Sequence, residues 1–561
     1  MSALAGFPAR LRSFSARRIT FAALATLGAC CALAASGAAS AASYVAKHCA
    51  ELEGRSIPAP VIGLPTRGAL IWSASVVKAA APGNRNGEYC RIVGSIRAVQ
   101  DTTPDIRFEV NLPSRWNGRA LQMGGGGYSG VVVSGTEPMP FAPDSTPLAR
   151  GYATFGSDSG HVGNSGRADF AANDEAIVNF GFGHLKKTHD VALALIQMGY
   201  GRGPEKTYFA GGSTGGREGL TVIERYPADY DGVIANAPAI NFSGVRLIGV
   251  KVGQASYAKP GGFVGLAQQR RVFETVMHDC DRLDGAADGI VGNVEACREF
   301  EPQIVAQLRC ANGQRPSLRD SCLSDAQLAT LDTLRDGLSL PYPLAYNVNS
   351  YPGYNVYQGV DLSGGLGLGD SPTLVSPPGF AVNGYLFAQG DAYIRYFVTR
   401  DPAFSSLAFD IANPGRYRQR LVTLSATVGA MNTDVSAFIA RGGKLIMMHG
   451  LADEVISPNQ TIAFYRSLVG RYGQDTVDSF VRLYMVPGFQ HGSGVFIPAW
   501  DELGALDQWV TRGVAPETLV GTDIAPATNG RSRPMCRYPA YPRYAGKGSV
   551  NSAANFRCES P

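Results

Sequence analysis

Apolar residues along the 561-residue chain gather into short runs that alternate with stretches of helical period. Residues 107–112, 119–123 and 206–210 have strand character, the last ending in a glycine-rich turn; 175–198 and 218–226 carry mostly helical patterns, and 232–236 is a further buried strand. Strands alternating with helices predict an α/β domain whose parallel sheet is covered on both faces. From about residue 238 to 430 the pattern breaks. Glycine and proline cluster at 363–369 and 377–379 and aromatic residues crowd together, which predicts an inserted domain. The α/β pattern resumes with a strand at 444–449, a helix at 460–470, a strand at 481–486 and a closing helix near 500–511, and the last 40 residues have the character of loops. The expected organisation is a leader over 1–42, an α/β domain built from 43–237 and 431–561, and an insertion over 238–430.

The leader changes how the composition is read. A basic stretch ending at Arg18, an apolar run over 21–35 and the small residues Ala39-Ser40-Ala41 form the pattern of a secretory signal peptide, the run being too short and too broken for a membrane span. Arg17-Arg18 resembles part of a twin-arginine signal, and Leu27-Gly28-Ala29-Cys30 resembles a lipoprotein site that would anchor the chain at Cys30. The main expectation is a secreted or periplasmic protein with no membrane insertion once the signal is removed. The chain holds 50 Lys and Arg against 46 Asp and Glu, and the leader contributes Arg10, Arg12, Arg17 and Arg18 with no acid or lysine, so the mature chain is balanced. A balanced charge offers no electrostatic footprint for nucleic acid or an anionic membrane. Of the ten cysteines, Cys30 and Cys31 fall in the leader, and an even number outside it fits an oxidising compartment. Many connectivities are open, of which the simplest closes local loops: Cys49 with Cys90, Cys280 with Cys297, Cys310 with Cys322, and Cys536 with Cys558.

Gly211-Gly212-Ser213-Thr214-Gly215 matches the G-x-S-x-G nucleophile elbow, in which a strained strand-to-helix turn lifts a serine hydroxyl above the sheet. The pattern alone is weak in a chain with 68 glycines, but here a strand leads into it and a helix leads out. Such a serine takes its proton acceptor from a histidine that follows an acid in the chain. Three of the seven histidines follow Ser213: His278 in the insertion, His449 at a strand end, and His491 in the loop after the strand 481–486. His491 is the candidate base, with His449 a packing or supporting residue. Asp453 lies just past the end of the strand 444–449, at the sheet edge where sites of open parallel sheets lie, and is the candidate acid; Glu454 is the alternative. An oxyanion hole needs two N–H groups, expected from Thr214 and from Gly126 or Gly127 in the run Gly124-Gly125-Gly126-Gly127.

The run Gly211 to Gly219, with Ala235-Asn236-Ala237-Pro238-Ala239, His449-Gly450-Leu451-Ala452-Asp453 and Pro487-Gly488 before His491, resembles the tannase and feruloyl esterase family, which includes mono(2-hydroxyethyl) terephthalate hydrolases. The resemblance implies an α/β-hydrolase core with a large inserted lid domain, secretion with several disulfides, and hydrolysis of small aromatic esters without an organic cofactor. It also implies a structural calcium in the lid, held by carboxylates of Asp281, Asp284 and Asp288 and carbonyls of Ala286 and Ile290, where the residues by themselves fit two Asp-Gly turns about equally well. One departure stands out. Where the family carries a cystine joining the elbow to the histidine loop, this chain has Gly212 and Gly492, so packing alone must hold the two together and a more mobile histidine loop is expected. For substrate contacts, Tyr385, Phe387, Tyr393, Tyr396, Phe397 and Phe404 crowd with Arg395 and Arg400, making Arg395 and Phe397 candidates to pair with a carboxylate and stack an aromatic acyl group, against an ordinary role in the core. Aliphatic polyester fragments, or a noncatalytic binding role on the same fold, are the alternatives to aromatic ester hydrolysis.

Overall fold

The computed structural model describes residues 48–141, 143, 146–311, 322–517 and 519–561. The leader, with its cleavage site and Cys30, lies outside the described residues. The centre is a ten-stranded sheet in the spatial order Ser56–Ile57, Ala69–Val77, Tyr89–Ile96, Ile106–Pro113, Ala153–Ser157, Arg119–Met123, Lys206–Gly212, Gly232–Asn236, Lys444–Gly450 and Val481–Val486. From Ala153–Ser157 onward all neighbours are parallel, as the alternating pattern predicts. The other half corrects that expectation: the strands from Ser56–Ile57 to Ile106–Pro113 form an antiparallel meander that joins Ala153–Ser157 antiparallel. Short connections allow only antiparallel pairing there, because a parallel crossover needs a dozen or more residues. The parallel strands Lys206–Gly212 and Val481–Val486 are buried almost throughout, whereas Ala69–Val77 has one wet face. Buried parallel strands form continuous apolar runs, while a half-solvated strand interleaves serines and is harder to see in sequence.

The long helix expected over 175–198 is interrupted. Asp174–Val178 passes into the wide turns of Asn179–Gly183 before the regular helix His184–Tyr200 begins. Gly181 lies flush against the Thr427 carbonyl, where a side chain would collide, and the carbonyls freed by the wide turns are used by Arg217 as described below.

Gly232–Asn236 and Lys444–Gly450 are adjacent and parallel, yet between them the chain makes an excursion of mostly short helices from Phe242–Gly253 to Ser436–Ala440. That excursion buries its own apolar cluster, including Val276, Leu331, Tyr357 and Leu421, which continues into Tyr128, Phe180 and Val455 at the C-terminal edge of the sheet. The last residues are not loop: Leu519–Asp523 and Ser532–Met535 extend a small sheet with Pro498–Ala499, and Tyr541–Tyr544 pairs with Phe556–Glu559. These strands are too short to show a period. Disulfides join Cys49 to Cys90, Cys280 to Cys297, Cys310 to Cys322, and Cys536 to Cys558, the four local pairs expected. Among the described residues no helix is long and apolar enough to cross a membrane.

Candidate active site

Ser213 sits between Lys206–Gly212 and the helix Thr214–Arg225 with φ 60° and ψ −120°, a conformation a non-glycine residue holds only under constraint. The constraint is visible: its N–H donates to the Asn236 carbonyl (2.9 Å), and its own carbonyl accepts from Ala239 (3.1 Å). Glycine at 211, 215 and 216 is required by contact, since a Cβ at Gly215 would lie 2.7 Å from the Gly125 carbonyl oxygen and one at Gly216 2.5 Å from that of Asn236.

The tetraglycine run is tied to this elbow from several directions. The Gly215 N–H donates to Gly125 O (2.8 Å), and the Thr214 hydroxyl donates to Gly127 O (2.7 Å). Gly124 N–H donates to Ala210 O, and Gly125 N–H donates to Glu218 Oε2 (3.0 Å), which leaves Gly126 and Gly127 as the amides of the run available to an oxyanion. Gly126 is exposed with open space where a side chain would be. Glu218 is wholly buried; burial pushes its carboxyl upward in pKa, but His184 and Arg217 outweigh this and hold it below the usual range. Arg217 is itself fully buried and donates to the carbonyls of Gly181 (2.6 Å) and Phe180 (3.1 Å), in the wide-turn segment. Arg217 and Glu218 lie inside the run Gly211 to Gly219, and two charges in an otherwise small-residue stretch after the elbow are the only sign of them in the sequence.

Asp453 is fully buried at the end of Lys444–Gly450. One oxygen accepts from the N–H groups of Val455 (2.8 Å) and Ile456 (2.7 Å), and the other accepts from His491 Nδ1 at 2.7 Å. His449 brings its Nε2 to that same oxygen (3.2 Å) and to Ile456 O (3.1 Å), while its Nδ1 meets the Thr461 hydroxyl (2.7 Å), so it supports the acid. Glu454 takes a different position, accepting the backbone N–H of His491 (3.1 Å). Burial pushes the Asp453 carboxyl upward, but His491 and His449 outweigh it and leave the acid ionised well below its usual range. For His491 burial pulls downward and is outweighed by the charge and hydrogen bond of Asp453, with Glu454 adding, so its pKa stands above the ordinary 6.5. Because Nδ1 carries the proton shared with Asp453, Nε2 is the nitrogen left to accept one. The Ser213 hydroxyl is not hydrogen-bonded to His491 in this structure; such contacts often tighten only when substrate is present.

The candidate substrate contacts in the insertion lie among intramolecular partners. Arg395 pairs with Asp391 (2.6 Å) and donates to Pro402 O (2.6 Å), Arg400 pairs with Asp174, and Phe397 is fully buried between Tyr128 and Tyr393. All three have structural partners, the ordinary fate of aromatic and arginine residues at helical spacing. Arg246, which sequence reasoning did not single out, is buried with its guanidinium over the rings of Phe242 (4.3 Å) and Tyr128 (4.9 Å), and has no carboxylate partner among the described residues.

In the loop expected to bind calcium, Asp281 Oδ1 accepts from the N–H groups of Asp288, Gly289 and Ile290, Asp284 Oδ1 accepts from Ala286, and Asp288 pairs with Arg533. Burial, then the neighbouring Asp288 and Asp281, raise the Asp284 carboxyl to about 7. An all-oxygen donor set with repelling buried carboxylates fits a hard cation, although the three carboxylates are not drawn together: among the described residues, the trio of possible ligand atoms lying within 4.8 Å of one another is that of His189, Asp190 and Asp229. That trio already holds a cation of its own, since Lys186 pairs with both Asp190 and Asp229.

A family model for tannase and feruloyl esterase matches residues 90–559. An uncharacterized esterase of Agrobacterium fabrum is 43% identical, covering 91% of this chain and 92% of the relative. The mono(2-hydroxyethyl) terephthalate hydrolase of Piscinibacter sakaiensis is 30% identical, covering 88% of this chain and 90% of the relative. Among solved structures, feruloyl esterase B from Aspergillus oryzae has a TM-score of 0.74 at 25% identity, over 92% of this chain and 100% of that one. A match that runs from the edge meander to the last strand, on a fold that delivers a strained serine, a buried Asp–His couple and a glycine loop to one edge, leads to one conclusion: the chain belongs to the tannase and feruloyl esterase family and is a carboxylic ester hydrolase.

Proposed function

We propose that the enzyme hydrolyses esters of aromatic carboxylic acids through an acyl-enzyme on Ser213. The observation that carries the mechanism is the buried Asp453–His491 couple (2.7 Å), which leaves Nε2 as the proton-accepting nitrogen of the neutral imidazole. His491 Nε2 takes the proton as Ser213 Oγ attacks the ester carbonyl. The oxyanion that forms is met by the N–H of Thr214 and that of Gly126 or Gly127, at the positive end of the helix Thr214–Arg225. Collapse expels the alcohol, protonated by His491, and water activated by the same nitrogen releases the acid. Relatives named feruloyl esterase and mono(2-hydroxyethyl) terephthalate hydrolase support an aromatic acyl group of feruloyl, galloyl or terephthalate-monoester type. Residues 238–430 serve as the lid over the site, and the loop from Asp281 to Ile290 holds a structural calcium through carboxylates of Asp281, Asp284 and Asp288 and carbonyls of Ala286 and Ile290. Four disulfides support export to an oxidising compartment.

A fluorophosphonate probe should label the wild-type enzyme and not Ser213→Ala, whose turnover should fall by about 10⁴-fold or more; equal labelling of both would overturn the serine mechanism. Matched aromatic and aliphatic esters, with and without a free carboxylate, test the substrate class, and a preference for aliphatic esters would favour polyester fragments instead.

A further inference from the structure

The two glycines that replace the family's cystine face the same side chain. A Cβ on Gly212 would lie 2.5 Å from the ring of Phe141, and one on Gly492 would lie 2.9 Å from it. The ring also meets the imidazole of His491 edge-on, with centroids 5.1 Å apart, and the ring of Phe489 at 6.1 Å. Phe141 therefore stands between the residue before the nucleophile and the residue after the base.

Its own position is set by the elbow. Asn236, whose carbonyl holds the Ser213 N–H, donates through Nδ2 to the carbonyl of Pro140 (3.0 Å), and the Pro140 ring packs over Gly212. Glu502 fixes the Asn236 side chain in turn, at 2.8 and 3.0 Å. Phe141 has φ 62°, a left-handed conformation that is uncommon for a bulky residue and is retained only when surroundings over-determine it. Absence of a side chain at 212 and 492 is what makes room for the ring.

We propose that Phe141 is a positioning residue for the catalytic histidine: an aromatic wedge, seated on Gly212 and Gly492, that holds the His491 loop in register with the Ser213 elbow by packing. Edge-to-face contact between aromatic rings favours one relative orientation beyond simple burial, so the wedge fixes the imidazole plane as well as its distance. Only the kinetic arm of the test rests on the serine esterase reading.

The test compares Phe141→Ala, Phe141→Leu and Phe141→Tyr in the full chain, with rates normalised to fluorophosphonate titration. Phe141→Ala is expected to lower kcat by about 10- to 100-fold with KM within about threefold, since a misplaced base costs turnover more than binding. Its acid limb of kcat/KM should also move toward that of an ordinary imidazole as water reaches the Asp453–His491 pair. Tyr should restore most of kcat, and Leu should fall between. Independently of activity, amide hydrogen exchange over 489–494 should quicken about tenfold in Phe141→Ala and return with Tyr. An Ala variant with unchanged kcat, acid limb and exchange would overturn the proposal. If Ala fails to fold, Leu must still show the kcat loss and faster exchange; a Leu variant identical to wild type in both would overturn it equally.

Discussion

At the scale of single residues the acid pair at 453 and 454 shows how position divides labour between like side chains. Both are buried, yet Asp453 faces two imidazoles and two N–H groups and stays ionised, while burial and then the charge of Asp453 raise Glu454 to about 7. Their order in sequence did not distinguish them; the direction each side chain takes after the strand did. The proposed base, His491, serves only when neutral, so its raised pKa places the expected acid limb of kcat/KM above 6.5, with activity lost as pH falls through it. Glu454→Gln removes a charge that favours the protonated imidazole and keeps an acceptor for the His491 N–H. The limb should move to lower pH by about 0.5, with the plateau within about threefold of wild type. A limb that moved upward would contradict this placement of Glu454.

At the scale of elements, the site depends on how closely a helix start and a loop approach each other. Gly215 lies against Gly125, with the N–H of one bonded to the carbonyl of the other at 2.8 Å. Gly215→Ala should destabilise the protein by about 1–3 kcal/mol through overpacking and lower kcat at least tenfold by displacing the proposed oxyanion loop. Gly470→Ala is the control: nothing lies within 4 Å of its Cβ, in the exposed part of the helix Pro458–Tyr472, so thermal unfolding should show it neutral or more stable by up to about 1 kcal/mol with kcat unchanged. The elbow was legible because its strand, glycines and helix are contiguous. Of the edge meander only the strand at 107–112 was legible, and the terminal strands were not: Ala69–Val77 interleaves polar with apolar positions, and the terminal strands are two to five residues long.

At the scale of the molecule, the proposed calcium loop joins parts far apart in sequence. Asp288 pairs with Arg533 and its carbonyl accepts from Arg531 (2.8 Å), while Asn293 donates to the hydroxyl of Tyr541 (3.0 Å), so the loop ties the insertion to the C-terminal strands. A cation there would stabilise that junction, which also reaches the histidine loop: a Cβ on Gly488 would lie 3.2 Å from the Ile290 side chain. Chelation followed by dialysis should lower Tm by about 3–8 °C, restored by added calcium. Metal analysis finding no bound calcium, together with an unmoved Tm, would remove the ion.

The sequence by itself determined what depends on neighbours along the chain: the elbow, most of the buried parallel strands, and the serine, histidine and acid candidates with their order. Periodicity, turn chemistry and left-handed glycine positions are properties of contiguous residues, and so are readable there. Only the tertiary structure decided which acid faces His491, that Phe397 packs against Tyr128, that Glu218 holds the glycine loop, and that Phe141 fills the space above Gly212 and Gly492. Those partners are tens to hundreds of residues apart, and they meet because packing of sheet, helices and insertion leaves them one place to go.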